Sequence, residues 1–386
     1  MEYRQAALLR IALANSIGFS ASTAVPLWVG GMSSHLGLPS WGAGAVATGQ
    51  LTCAALLNAM TPWLFRGTHL RILAFVGAAI ALLGNGLAWL GSPSAFIAGC
   101  LFGGAGFGVL LNVTNRLVAG SSAPQQGYAT VQLVEVLFCI GFFLCVPPII
   151  ERCGILSVFA VLATLCAGVF LLLAGVPVSG STEVAARKKS GLPPNTAPAV
   201  LSLCAAALLF AGYSAVSSSL VSIGAAVGMS LLWVGRIMAL GLLSSLGGAI
   251  FARGMGERAG VLLPLLAGAG VVGADMLVLT LGRGPYGFIG GSLLLFMGMV
   301  FVSPYIYTLL AGLDKAGRWA SIAPGFVLTG VAFGPGIAGI VTHGIDFRVL
   351  GITAMTCIIV AMTLLVGAQR LHLRTAPARE SQCEAI

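Results

Sequence analysis

Twelve long apolar runs, separated by short polar segments, divide the chain from end to end. They lie near residues 8–33, 40–64, 71–90, 95–119, 126–149 and 154–176, then near 198–226, 231–252, 260–281, 285–311, 318–341 and 348–369. About 20 apolar residues in a helix cross the hydrocarbon core of a bilayer. Helix is the expected conformation because backbone polar groups in lipid must pair within their own segment. The one long polar stretch, 178–198, carries Arg187-Lys188-Lys189 and Pro193-Pro194. The pattern predicts an all-α membrane protein: a six-helix bundle over 1–176, a linker over 177–197, a second six-helix bundle over 198–370 and a tail over 371–386. The first run, from Leu8, is too long for a cleavable leader and is read as a spanning helix.

Composition agrees with lipid rather than water as the main solvent. Charged residues make up 8% and hydrophobic residues 58%, with a mean hydropathy of +1.03. Soluble domains carry about 25% charged residues. The 54 glycines suit close helix packing in lipid. The net charge of +9 sits in short loops, which argues against nucleic acid as a partner. The nine cysteines are scattered, mostly in apolar runs, and His35, His69, His343 and His372 fall at loops or helix ends. Neither set has metal-ligand spacing, so no metal or other cofactor is expected.

The cations also orient the chain. If the runs alternate across the membrane, Arg4, Arg10, Arg66, Arg71, Arg116, Arg187, Lys188, Lys189, Arg253, Arg258, Lys315, Arg318, Arg370, Arg374 and Arg379 fall on one side. Only Arg152, Arg283 and Arg348 fall on the other, and Arg236 lies inside a run. Fifteen against three is a strong positive-inside bias. Both termini and the linker are therefore expected in the cytoplasm, with a bacterial inner membrane as the location.

The halves repeat. At a constant offset of 192, Phe96-Ile97-Ala98-Gly99 meets Phe288-Ile289-Gly290-Gly291, and Leu117-Val118-Ala119-Gly120 meets Leu309-Leu310-Ala311-Gly312. Arg66 meets Arg258, Pro93 meets Pro285, Trp41 meets Trp233 and Gly49 meets Gly241 at the same offset. Gly18-Phe19-Ser20-Ala21 meets Gly212-Tyr213-Ser214-Ala215 at 194. Single matches arise easily in apolar helices; a register shared by all of them does not.

This six-plus-six parallel duplication around a basic linker resembles the major facilitator superfamily, over essentially the whole chain. Its local motifs are uneven. The loop after the second span, Trp63 to Arg71, keeps arginines but lacks the usual Asp, while Arg253-Gly-Met-Gly-Glu-Arg258 retains an acid. The antiporter-type Gly-x-x-x-Gly-Pro motif is blurred in span 5 and clean in span 11, as Gly330, Gly334 and Pro335 followed by Gly336 and Gly339, which makes Gly330, Gly334 and Pro335 gating candidates.

The resemblance implies that spans 1, 4, 7 and 10 line a central cavity, and polar residues do concentrate there. Span 1 has Asn15, Phe19 and Ser22 at helical spacing, with Ser16, Ser20 and Thr23 beside them; span 7 has Tyr213 and Ser217; span 4 has Asn112; span 10 has Ser303, Tyr305 and Tyr307. Asn15, Phe19, Ser22, Asn112, Tyr213, Ser217, Tyr305 and Tyr307 are the solute-contact candidates. Hydroxyls of single serines serve equally well to return hydrogen bonds to their own helix.

Three ionisable side chains fall within spans: Glu135, Arg236 and Asp275. A charge at the bilayer centre costs about 2.5–3.5 kcal/mol or more, so each needs a reason. A carboxyl removed from water favours its protonated form, which makes Glu135 the candidate proton carrier, with a structural ion pair as the alternative. Arg236 aligns with Gly44 and breaks the repeat. It reads either as a clamp for an anionic solute, as a snorkelling side chain, or as the partner of Glu135 in a gate. Asp275 reads as a helix cap or interhelical bond. The six tryptophans read as an interfacial belt, with Trp319 and Phe326 as an alternative flank for an aromatic solute.

The expected function is secondary transport of a small amphipathic organic solute, proton-coupled and alternating in access, with a slight preference for efflux. A proton-coupled uptake symporter for a small organic acid or vitamin is the alternative, and a transporter-like receptor or scaffold the non-transport reading. No enzyme activity is expected. The partners are the solute, protons and lipid, and the functional unit is a monomer.

Overall fold

The computed structural model describes residues 5–65, 68–120, 124–174, 176, 195–255, 260–282, 284–313, 318–342 and 346–383. Most of the predicted linker, and the loop residues Arg66 and 256–259, lie outside them. In the first half the helices are α1 (Gln5–His35), α2 (Gly42–Leu64), α3 (Leu70–Trp89), α4 (Pro93–Ala119), α5 (Pro124–Cys153) and α6 (Ser157–Ala174). The second half contains α7 (Thr196–Ser218), α8 (Leu220–Ala226), α9 (Leu231–Met255), α10 (Leu262–Leu281), α11 (Pro285–Leu313), α12 (Arg318–Val341) and α13 (Arg348–Cys383). Twelve of these segments are long and apolar enough to cross a bilayer, and the protein is a multi-pass membrane protein. An even number of crossings brings the start of α1 and the end of α13 to one face, here called the termini end. The opposite face is the far end.

Span 7 is the one crossing divided into two helices. Three consecutive serines cause the break: Ser218 and Ser219 both donate their hydroxyls to the carbonyl of Ala215, at 3.0 and 3.1 Å, and the Ser219 N–H closes a tight turn on Val216. Side-chain hydroxyls competing for one helical carbonyl loosen the regular ladder. At the other end of the chain, α13 continues as helix past the expected limit of its span at 369, so the predicted tail begins as a helical extension.

Packing within each half follows the glycines. In the first half, α4 lies against α3 and α2 with almost no side chain between the backbones. A β-carbon on Gly84 would overlap the backbone of Gly103, and one on Gly104 or Gly108 would overlap the carbonyls of Gln50 and Ala54. In the second half, Gly248 of α9 meets the carbonyl of Met297 on α11, and Gly330 of α12 meets that of Ala207 on α7. Lipid supplies no hydrophobic drive between helices, so close backbone approach and van der Waals contact must hold them. Gly84→Leu is accordingly expected to cost about 3 kcal/mol by forcing α3 off α4. A fall in the melting temperature of the purified protein, absent from Gly86→Leu where an added β-carbon meets nothing within 4 Å, would measure it.

Buried polar groups tie further helices together, and here several sequence expectations are corrected. Asn15 donates to Thr114 at 2.8 Å and to Asn115 at 3.3 Å, which joins α1 to α4. Asn112 donates to the Asn58 carbonyl of α2 at 2.7 Å. Tyr305, placed with the solute contacts from its span, is buried and donates to the Ala252 carbonyl of α9 at 3.4 Å. Asp275 is no helix cap: it sits within α10, 4% exposed, against Gly291 of α11. Trp28 is not interfacial either. It is fully buried with Phe96 and Phe159, at ring distances of 5.5 and 5.6 Å. Trp319 is also buried, whereas Trp41, Trp63, Trp89 and Trp233 are more than half exposed at helix ends, as an interfacial belt requires.

The halves meet along α2 with α12, α5 with α9 and α1 with α8. The tightest of these approaches are at the far end. Gly30 of α1 touches Ser222 of α8, Gly44 of α2 touches the Pro335 carbonyl of α12, and a β-carbon on Gly235 of α9 would lie 2.6 Å from the Phe143 carbonyl of α5.

Candidate functional site

Between the halves lies a cavity of about 370 Å³, within the size range of pockets that hold drug-sized ligands. α1 supplies Phe19, Ser22, Thr23 and Pro26; α5 supplies Gln132, Glu135, Cys139 and Phe143; and α7 supplies Phe210, Tyr213, Ser214, Ser217 and Ser218. Met238 and Ser245 of α9, Phe296, Met299 and Ser303 of α11, and Val327, Val331 and Pro335 of α12 complete the wall. Asn112, the α4 residue expected from the polar pattern, is absent from it.

The internal repeat explains much of this wall. Phe19 and Tyr213 are equivalent at offset 194, and both face the cavity. At offset 192 Glu135 is equivalent to Val327, and both again face the cavity. The two halves thus present matching positions, and one substitution within that symmetry leaves a carboxyl on one wall and a methyl-bearing side chain on the other. A second departure concerns shape. Phe296 occupies the position of Gly104, so the first half packs a glycine tightly on α2 where the second half projects an aromatic ring into the cavity.

Among the described residues, Glu135 is the only Asp, Glu, Lys, Arg or His in the lining. Among the described residues its carboxyl has no hydrogen bond and no ion pair. Its neighbours on the same helix face are Cys139 one turn on, which touches the Thr23 hydroxyl at 3.4 Å, and Phe143 two turns on. Tyr213 stands between Phe210 and Phe296 in edge-to-face contact, at ring distances of 6.4 and 6.5 Å.

α12 enters the site at Pro335. Proline has no N–H to offer the carbonyl one turn back, here that of Val331. The Ser214 hydroxyl of α7 donates to that carbonyl at 2.7 Å. The next N–H, of Gly336, is bonded across the halves to the Thr48 hydroxyl of α2 at 2.8 Å. The helix break is thus held from both sides. Gly330 and Gly334 admit α7 to backbone distance just before it.

Of the residues singled out in the sequence, Phe19, Ser22, Glu135, Tyr213, Ser217 and Pro335 meet around one cavity. Asn15, Asn112 and Tyr305 bond helix to helix instead, and Tyr307 is half-buried outside the lining. Arg236 is exposed, with its guanidinium 4.9 Å from the Trp233 ring centroid on its own helix. It neither reaches the cavity nor pairs with Glu135 among the described residues, which removes the anion clamp and the gate proposed for it. Arg236→Ala is expected to leave solute flux within about twofold, the usual effect of an exposed substitution, as vesicle uptake assays will read. Cys139, Phe143, Met238, Ser245, Phe296 and Met299 were not anticipated. The signal for Cys139 and Phe143 was present in the sequence, four and eight residues after Glu135 on one helical face.

No family model and no curated protein matches the sequence. Solved structures do match its fold. The peptide transporter POT superposes with a TM-score of 0.74 at 13% identity, covering 95% of this chain and 94% of that one. The nucleoside transporter NupG superposes with a TM-score of 0.73 at 13% identity, covering 94% and 99%. The POT family transporter PepTSo gives 0.71 at 12%, covering 97% and 99%. At such identities the likeness is one of fold.

Proposed function

We propose that this chain, which has the major facilitator superfamily fold, is a secondary transporter that carries a small amphipathic organic solute by alternating access, coupled to protons at Glu135. The observation that carries the reading is the cavity itself. It lies on the seam between two pseudo-symmetric halves and holds a single, unpartnered carboxyl among hydroxyls and aromatic rings. A charge so placed is costly in a membrane unless it is used. A proton carrier needs a group that gains and loses a proton without breaking a structural bond, and Glu135 breaks none.

Close contacts at the far end and the fifteen-to-three cation bias together support a form open to the cytoplasm, with the termini on that side. The glycines around Pro335 favour export over uptake. Peptides, the solutes of two of these structural neighbours, do not carry over. A zwitterionic peptide would leave its carboxylate without a cation, since the lining supplies none. The same absence disfavours the organic-acid symporter.

The test is flux in vesicles containing the purified protein and an entrapped pH-sensitive dye. Addition of small amphipathic aromatics, amines and acids is expected to move protons for at least one chemical class, and a protonophore should abolish any uphill solute movement. Proton traces identical to those of empty vesicles across the whole panel would refute the reading.

A further inference from the structure

The cavity's polar groups are arranged almost entirely as hydrogen-bond acceptors. Six serines line it, and five of them already use their one proton on a backbone carbonyl, which can only accept. Ser214 donates to Val331, Ser217 to Ser214, Ser218 to Ala215, Ser245 to Leu242 and Ser303 to Met299, at 2.7, 3.3, 3.0, 2.6 and 2.7 Å. What remains on each oxygen is lone pairs. One lining residue adds a main-chain acceptor: the carbonyl of Ser22 is followed one turn later by Pro26, also in the lining, which has no N–H to give it. Glu135 contributes two more acceptor oxygens. Against these, the free donors are the hydroxyls of Ser22 and Tyr213 and the Gln132 amide.

The charge inventory has the same sign. Among the groups on elements packed around Glu135, the Cys139 thiol and the Tyr213 phenol share its cavity. Arg10 of α1, Arg116 of α4, Arg236 of α9 and Cys166 of α6 are absent from the lining. An anion entering this space would meet an uncompensated carboxyl and a wall of lone pairs. A protonated amine would meet the reverse: a countercharge, acceptors for each N–H, and the aromatic faces that attract cations.

We infer that the solute is a protonated amine with an apolar or aromatic body, which occupies Glu135 in exchange for the proton. The inference deepens the transport reading and rests on it for the cavity's role. The exchange balances in charge: one proton leaves the carboxyl as one ammonium arrives, and no covalent bond is made.

The experiment is equilibrium binding to the full-length purified protein by titration calorimetry and thermal shift. The probes are one arylalkyl skeleton carrying, in turn, a primary amine, a trimethylammonium, an alcohol and a carboxylate. The primary amine is expected to bind about ten- to a hundredfold tighter than the alcohol, the range of a charge-assisted hydrogen bond. The trimethylammonium, which keeps the charge but has no N–H, should fall between them, and the carboxylate should bind weakest. Glu135→Gln should bring the amine-to-alcohol ratio close to one. If that variant does not fold, the wild-type protein gives the same answer, because proton competition weakens amine binding by up to about tenfold per pH unit on the acid side while leaving the alcohol flat. A carboxylate that binds as tightly as the amine, a ratio unchanged in Glu135→Gln, a pH-independent amine, or no binding by any probe would each overturn the inference. Binding needs no gradient, so amine binding without proton flux in vesicles would sink the transport reading alone. Proton-coupled flux of a neutral solute would sink this inference alone.

Discussion

Glu135→Gln is expected to reduce gradient-driven solute flux to the level of empty vesicles while the protein stays folded. The reason lies in what Glu135 does not do. It holds no ion pair and no hydrogen bond among the described residues, so replacing its carboxyl by an amide of the same shape breaks nothing. The substitution also removes a group whose ionised form costs about 2.5–3.5 kcal/mol or more in the membrane, so the melting temperature should hold or rise. What is lost is the one carboxyl among the described residues of the lining. Exchange of solute across the membrane without a gradient, which needs only the conformational cycle, should persist once the solute concentration is raised to offset the weaker binding. Undiminished uphill flux in this variant would move the proton site elsewhere, and a collapse in melting temperature would make Glu135 structural.

Gly44→Val should abolish transport by a different route. The β-carbon would overlap the Pro335 carbonyl, and the Gly339 Cα would lie only 3.2 Å away. Both obstacles are backbone, on a helix already tied to α7 by the Ser214 bond and to α2 by the Thr48 bond, so neither side can yield by a rotamer change. The far ends of α2 and α12 must separate, and the halves can no longer close there. The observable is Cys139, which lines the cavity. A membrane-impermeant thiol reagent applied from the far side should label Cys139 in Gly44→Val and leave it unlabelled in the wild type, as peptide mass spectrometry will read. Gly141→Val is the control, since a β-carbon there meets nothing within 4 Å. Cys139 protected in both proteins, with transport intact, would mean that the far-end contact is not a closure.

How the site was legible follows from which signals are local. Phe19, Ser22, Tyr213 and Ser217 stood out because hydroxyls and a phenol recur at helical spacing in otherwise apolar runs. Glu135 stood out because a carboxyl in a span needs a reason. Asn15, Asn112 and Tyr305 stood out for the same polarity, yet they serve helix-to-helix bonds. Local polarity marks a residue that must find a partner in lipid, and it does not say whether that partner is another helix or a solute. Arg236 shows the limit most plainly: its depth along the span permitted a cavity role, and its direction around the helix, toward Trp233 and away from the cavity, excluded one.

The sequence by itself determined the architecture. The apolar runs, the cation asymmetry and the 192-residue register each report a property of lipid or of ancestry that acts on every residue in a segment, so each signal adds up along the chain. It also determined which matched positions would differ between halves, as Glu135 and Val327 do. Only the tertiary structure decided which helix faces meet. That depends on the azimuth of each span and on how closely glycines let backbones approach, a few tens of degrees and a few ångströms that periodicity does not encode. The orientation of the serine protons belongs to the same class. Whether a hydroxyl faces the cavity as donor or acceptor depends on whether a carbonyl one turn back has claimed its hydrogen, and for five of the six lining serines that claim has been made.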